Sequence, residues 1–130
     1  MKILFICQGN VGRSQMAEAF YNHLTKSKNA ISAGISKTTP KVYGNLPKEI
    51  RDLMMEEGID VSKNKVETVT KDILKNAEKI FILRTNEQFP KHILNSKKAV
   101  TWRIEDPYEM SLDGIRRIRD QIKERVLGII

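Results

Sequence analysis

Apolar residues in this chain fall into short unbroken runs, and between the runs they recur every three or four positions. The runs at 3–6, Ala30–Gly34, 79–83 and 99–102 have strand length and are rich in β-branched and aromatic residues, so they read as buried strands. Helical spacing predicts a helix over about 14–27 and a second opening at Pro47, with Ile50, Leu53 and Met54 on one face and Gly58 as its stop. It also predicts short helices near 70–76 and 86–94, and a last helix from about Ser111 that aligns Ile115, Ile118, Ile122, Val126 and Ile129. The stretch 35–46 is polar, is broken by Pro40 and Gly44, and reads as a loop.

Strand–helix alternation of this kind implies a parallel sheet with helices on both faces, an α/β fold. Right-handed crossovers then bring the carboxyl ends of the strands to one edge, where ligands bind in such folds. Two segments share that edge: the turn after the first strand and the loop after Trp102, which holds Glu105, Asp106, Pro107 and Tyr108.

The first turn carries the only cysteine of the chain, in Cys7-Gln8-Gly9-Asn10-Val11-Gly12-Arg13-Ser14. Backbone N–H groups of a glycine-containing turn, joined to those of a helix N-terminus, make an anion site. Gly9 and Gly12 are expected to let the backbone turn tightly. Arg13 offers a planar fork for two oxygens of a phosphate, and the local positive field favours a thiolate at Cys7. Ser14 is placed to hydrogen-bond that sulfur, and Asn10 to brace the loop. A lone cysteine at a strand end is usually just a small buried hydrophobe, so the case rests on the whole setting. The rival nucleotide-binding loop needs lysine after its second glycine, four residues beyond the first, and the pattern here does not match it. A thiolate attacking phosphorus needs an acid for the leaving oxygen, and Asp106 is the candidate.

Composition narrows the picture. At 130 residues, 40% hydrophobic and 30% charged, residues 1–130 suit one globular domain. No apolar run is long enough to span a bilayer and no signal peptide is recognisable, so a cytoplasmic location is expected. One cysteine cannot form an internal disulfide, and no Cys/His cluster suggests zinc. The net charge of +7 favours anionic partners such as phosphoproteins or small phosphate esters. The lysines are scattered and no nucleic-acid motif accompanies them, which disfavours nucleic acid. Arg116, Arg117, Arg119, Lys123 and Arg125 make the last helix basic; with Asp120 and Glu124 interleaved, a solvated face is the expectation.

The chain resembles the low-molecular-weight protein tyrosine phosphatase family and the thioredoxin-coupled arsenate reductases that share its fold. The resemblance rests on Cys7-x5-Arg13-Ser14, Met16-Ala17-Glu18-Ala19, Ser32-Ala33-Gly34, the run from Glu57 to Ser62, and Asp106-Pro107 before a final helix. It implies a four-stranded parallel sheet, a Cys7 nucleophile, and phosphate held by the 8–14 loop and Arg13. It further implies Asp106 as general acid, with no metal or other cofactor. Tyr43 and Tyr108 are the candidate walls of a slot for a phosphorylated phenol, and Val11 stands where the family's arginine phosphatases typically have threonine.

Within the resemblance, the reductases relay a disulfide through two further cysteines after the third strand, where this chain has Arg84 and Phe89. Reductase chemistry would therefore need an external thiol partner. Many relatives also carry a second cysteine at the position of Gly12, so reversible disulfide protection of Cys7 is not expected here. Three readings follow: a phosphatase for aryl phosphate monoesters such as phosphotyrosine, an arsenate reductase-like enzyme with an outside thiol, and a phosphate-binding domain without turnover.

Overall fold

The computed structural model describes residues 1–130. Its elements run β1 (Ile3–Cys7), α1 (Arg13–Thr25), β2 (Ala30–Gly34), α2 (Thr39–Val42), α3 (Lys48–Met55), α4 (Lys71–Asn76), β3 (Lys79–Arg84), α5 (Lys91–Leu94), β4 (Ala99–Arg103) and α6 (Leu112–Leu127). The four strands form one parallel sheet in the order β2-β1-β3-β4. All five residues of β1 are buried, as befits an inner strand covered on both faces.

Alternation along the inner strands builds two cores. Ile3, Phe5 and Cys7 of β1 share one face with Phe81, Leu83 and Trp102, and pack against Met16 and Phe20 of α1, Leu53 of α3, and Ile115, Ile118 and Ile122 of α6. Phe81 stands between Phe5 and Trp102, with ring centroids 5.5 and 4.5 Å away, and these offset contacts fix the centre of that layer. Leu4 and Ile6 face the other way, into a smaller core with Ile80, Ile82, Phe89 and Ile93.

The strand and helix pattern of the sequence holds with local differences. The predicted loop 35–46 contains one helical turn, α2, opened by Pro40 in its first positions. The predicted helix over 86–94 is reduced to Lys91–Leu94, because Pro90 fixes an extended entry as its N-cap and residues 85–89 are bends and irregular chain. Ser111 caps α6 by accepting the Gly114 N–H at 3.1 Å, and Thr70 caps α4 by accepting that of Ile73 at 3.2 Å.

The last helix departs from a uniformly solvated basic face. Arg119 is 5% exposed and donates to the Leu53 carbonyl at 2.8 Å and the Glu56 carboxylate at 2.6 Å, tying α6 to α3. The period that puts Ile115, Ile118 and Ile122 inward also turns Arg119 toward α3, whose last turn supplies both acceptors.

Strand order places a reversal between β1 and β3: the chain goes from β1 outward to β2, then crosses to β3 on the other side. The crevice at the carboxyl ends of β1 and β3 is where such sheets take ligands. No helix is long and apolar enough to cross a membrane.

Candidate active site

β1 ends at Cys7 and α1 begins at Arg13, so residues 8–12 must reverse the chain in a tight loop. The residue in the left-handed conformation is Asn10, at φ 59°, while Gly12 sits at φ −135° and ψ −80°, outside the helical and extended regions. Asn10, whose type tolerates the left-handed region better than most, takes the one positive-φ position of the loop. Asn10 is fully buried and hydrogen-bonded throughout. Its amide nitrogen donates to Ser14 Oγ at 2.8 Å and Ser32 Oγ at 2.9 Å. Its oxygen accepts from Gln15 Nε2 at 3.0 Å and the Glu67 N–H at 2.9 Å. The glycine the loop does require is Gly34 at the end of β2: a Cβ there would stand 2.7 Å from the Gly9 carbonyl carbon and 2.8 Å from the Asn10 nitrogen.

Cys7 is 2% exposed, and its sulfur lies 3.0 Å from Ser14 Oγ and accepts the Asn10 N–H at 3.2 Å. The other main-chain donors of the loop, those of Gln8, Gly9, Val11, Gly12, Arg13 and Ser14, have no acceptor within the protein. Gly12 stands at the N-cap of α1, which has no side-chain cap and no acidic residue in its first turn. A row of unengaged N–H groups at an uncapped helix N-terminus is a ready anion site, reinforced by the partial positive charge of the helix end.

Arg13 is 3% exposed and needs partners for its charge. Its Nη1 donates to the Ile104 carbonyl at 2.9 Å, and its Nη2 pairs with the Glu87 carboxylate. Glu87 is itself anchored, its other oxygen accepting from the Thr85 N–H at 2.8 Å and Thr85 Oγ1 at 3.0 Å. Burial alone would raise the Glu87 carboxyl, but the Arg13 and Thr85 hydrogen bonds outweigh it and hold it at about 2. Glu87 escaped the sequence reading because a short helix was expected at its position. The pointer is only indirect: an arginine buried at the carboxyl edge of the sheet needs a carboxylate, and chain order does not say which one.

Asp106 lies in the loop between β4 and α6, with Oδ2 3.9 Å from Arg13 Nη2 and Oδ1 accepting the Tyr108 N–H at 3.0 Å. Its side chain is 55% exposed and faces a cleft of about 720 Å³. Of the residues singled out in the sequence, all but Asn10 and Ser14 line this cleft; those two sit behind the loop and brace it. Tyr43 and Tyr108 stand at its sides, the first half-buried and the second exposed. Thr39, also unforeseen, donates from α2 to the Gly9 carbonyl at 2.8 Å and holds one wall against the loop. Geometry thus gathers a thiol, a guanidinium, a row of free N–H donors and a solvent-reachable carboxyl in one cleft.

The sequence profile of the low molecular weight phosphotyrosine protein phosphatase family matches residues 2–130. A protein named arsenate reductase from Brevibacillus brevis is 34% identical over 130 residues, spanning 95% of this chain and 90% of its own length. The structure of an arsenate reductase from Archaeoglobus fulgidus superposes with a TM-score of 0.78 at 30% identity over 98% of both chains. A low molecular weight protein tyrosine phosphatase from T. tengcongensis superposes with a TM-score of 0.84 over 99% of this chain and 97% of its own, and at 23% identity speaks for the fold alone. Sequence profile, relatives and fold agree, and the chain belongs to the low molecular weight phosphotyrosine protein phosphatase family.

Proposed function

We propose that this chain is a cysteine-dependent phosphatase that hydrolyses aryl phosphate monoesters, phosphotyrosine among them. The observation that carries the reading is the row of unengaged N–H donors running from the Cys7 sulfur to Arg13. Donors preset for an anion stabilise the charge on the equatorial phosphoryl oxygens as the transition state forms. Arg13, held by Glu87 and Ile104, adds its fork without having to be ordered at the moment of reaction.

In the first step the Cys7 thiolate attacks phosphorus, forming the S–P bond while the P–O bond to the aryl group breaks. Asp106, entering as the acid, gives its proton to the departing oxygen. In the second step a water attacks phosphorus, Asp106 as carboxylate takes its proton, and the S–P bond breaks to return the thiolate and release phosphate. Ser14 Oγ, 3.0 Å from the sulfur, is placed to donate to the thiolate in both states. Tyr43 and Tyr108 at the sides of the cleft suit a planar aromatic leaving group. Val11 at the cleft wall supports the aryl ester over phosphoarginine, through the family resemblance.

The names of the relatives favour a second reading, reduction of arsenate. Arsenate to arsenite requires two electrons, and Cys7 is the only thiol in the chain. At the end of β3, Arg84 lies over the Phe89 ring at 5.7 Å and donates to the Glu87 carbonyl at 2.9 Å, and with no cysteine in that segment no internal thiol relay can operate there. The reductase reading therefore requires an external dithiol to resolve an adduct on Cys7.

One experiment separates the readings. The protein is given para-nitrophenyl phosphate in one assay, and arsenate with a thioredoxin or glutaredoxin system in another. Ester turnover that disappears in Cys7→Ser and falls about 10²–10³-fold in Asp106→Ala is the expected result. Intact ester alongside reduced arsenate would establish the second reading, and no turnover of either would leave a phosphate-binding domain.

A further inference from the structure

The cleft is charged against the grain of the chain. The protein carries +7 overall, yet Arg13 is the one basic residue lining the cleft, which it shares with the carboxyl-bearing residues Glu49, Asp106 and Glu109. Arg13 is moreover already paired with Glu87. Glu49 and Glu109 take part in no ion pair, although basic residues outnumber acidic ones across the chain. They come from two separate elements, Glu49 from the first turn of α3 and Glu109 from the turn ahead of α6, and both are exposed. On α6, Arg116, Arg119 and Lys123 are engaged with Glu56, Glu57, Asp113 and Asp120, and the unpaired Arg117 and Arg125 do not line the cleft.

The thiol, the free N–H donors and Arg13 make the cleft an anion site; Glu49 and Glu109 decide what can accompany the anion. Neither carboxylate can favour the phosphoryl group itself. Both would repel an acidic neighbour and attract a cation that arrives with the substrate. Discrimination by repulsion of the wrong partner is a common device where affinity alone is insufficient.

We propose that Glu49 and Glu109 form a subsite for a cationic side chain, so that the preferred substrate is a phosphotyrosine flanked by lysine or arginine. The inference rests on the phosphatase reading and names the substrate class of that same cleft. An ammonium or guanidinium group within a few residues of the phosphotyrosine pairs with Glu49 on one wall or Glu109 on the other. The aromatic ring stands between Tyr43 and Tyr108.

The test uses three phosphotyrosyl peptides that differ only in flanking residues, lysine, alanine or glutamate, with para-nitrophenyl phosphate as a substrate without flanks. At low ionic strength kcat/KM for the lysine peptide exceeds that for the glutamate peptide by on the order of tenfold, and added salt narrows the gap. Glu49→Gln and Glu109→Gln each reduce the ratio, and the double charge reversal Glu49→Lys with Glu109→Lys inverts it. The ratio is taken within each variant, so a general loss of activity does not imitate the effect. Equal kcat/KM for the three peptides, a preference for the glutamate peptide, or a ratio untouched by the variants overturns the inference while ester turnover keeps the phosphatase reading standing. If para-nitrophenyl phosphate and every peptide are left intact, the phosphatase reading fails, and this inference with it.

Discussion

Glu87 shows how much a single side chain can organise. Arg13 has two anchors, the Ile104 carbonyl and the Glu87 carboxylate, and only the second carries charge. Glu87→Gln keeps the shape but leaves the buried guanidinium with only the more distant Asp106 carboxylate, 3.9 Å away, at a cost of about 2 kcal/mol in stability. The same change loosens the fork that grips phosphate, so under the proposed mechanism KM for an ester rises and kcat falls together, while Glu87→Asp restores part of both. Protonation links this pair to pH. The folded Glu87 carboxyl sits at about 2, below its ordinary value near 4.5, so its stabilising contribution is complete above about 4.5 and is lost as pH falls toward about 2. Thermal melts of wild type and Glu87→Gln should differ at pH 6 and converge on acidification through that window. A constant difference down to the lowest pH would show that the pair contributes nothing through charge.

At the scale of elements, the α3–α6 contact is held by more than apolar packing. Arg119 lies under Glu56, which also accepts two hydrogen bonds from Arg116 at 3.0 and 2.8 Å. The hydrogen bonds of Arg116 and Arg119 hold the Glu56 carboxyl at about 2, and Arg119 itself is buried among Leu53, Glu56 and Asp120. Arg119→Ala removes a buried cation whose partners stay behind, and should lower stability by roughly 2–4 kcal/mol by urea denaturation. Arg117→Ala, on the same helix but in no ion pair, should stay within about 0.5 kcal/mol of wild type. Equal effects from the two would mean that the cluster is ornamental. α3 also carries Glu49 toward the cleft, so loosening its seat on α6 would reach the site as well as the fold.

For the whole molecule, the solitary sulfur sets the response to oxidants. Cys7 has Ser14 Oγ and the Asn10 N–H for neighbours and no second thiol anywhere in the chain. A sulfenic acid formed there cannot be captured as an internal disulfide and is open to further oxidation. After strong peroxide treatment without added thiol, mass spectrometry of the Cys7 peptide should show sulfinic and sulfonic acids, and dithiothreitol should not restore ester turnover. Complete recovery would count against this.

Much of this molecule was legible in the chain. Short unbroken apolar runs located the four strands and a period of three to four located the long helices, because burial on both faces or on one leaves its mark in the sequence. The Cys7–Ser14 loop and Asp106 could be joined before any coordinates, since parallel topology sends every strand's carboxyl end to one edge. Three features could not be read that way. The left-handed position of the loop fell to Asn10 because its side chain is satisfied by Ser14, Gln15, Ser32 and Glu67, the last two 22 and 57 positions away along the chain. Glu87 became the partner of Arg13 because the β1–β3 reversal brings residues 74 positions apart together. The acidic mouth arose because two separate turns converge on one cleft in a basic protein. The sequence by itself determined the four strands, the long helices, the tight turn from Cys7 to Ser14 and the lone thiol, all of which depend on neighbours along the chain. Only tertiary structure decided which charges meet, because the field at a site is a sum over groups that the fold, not the chain order, brings close.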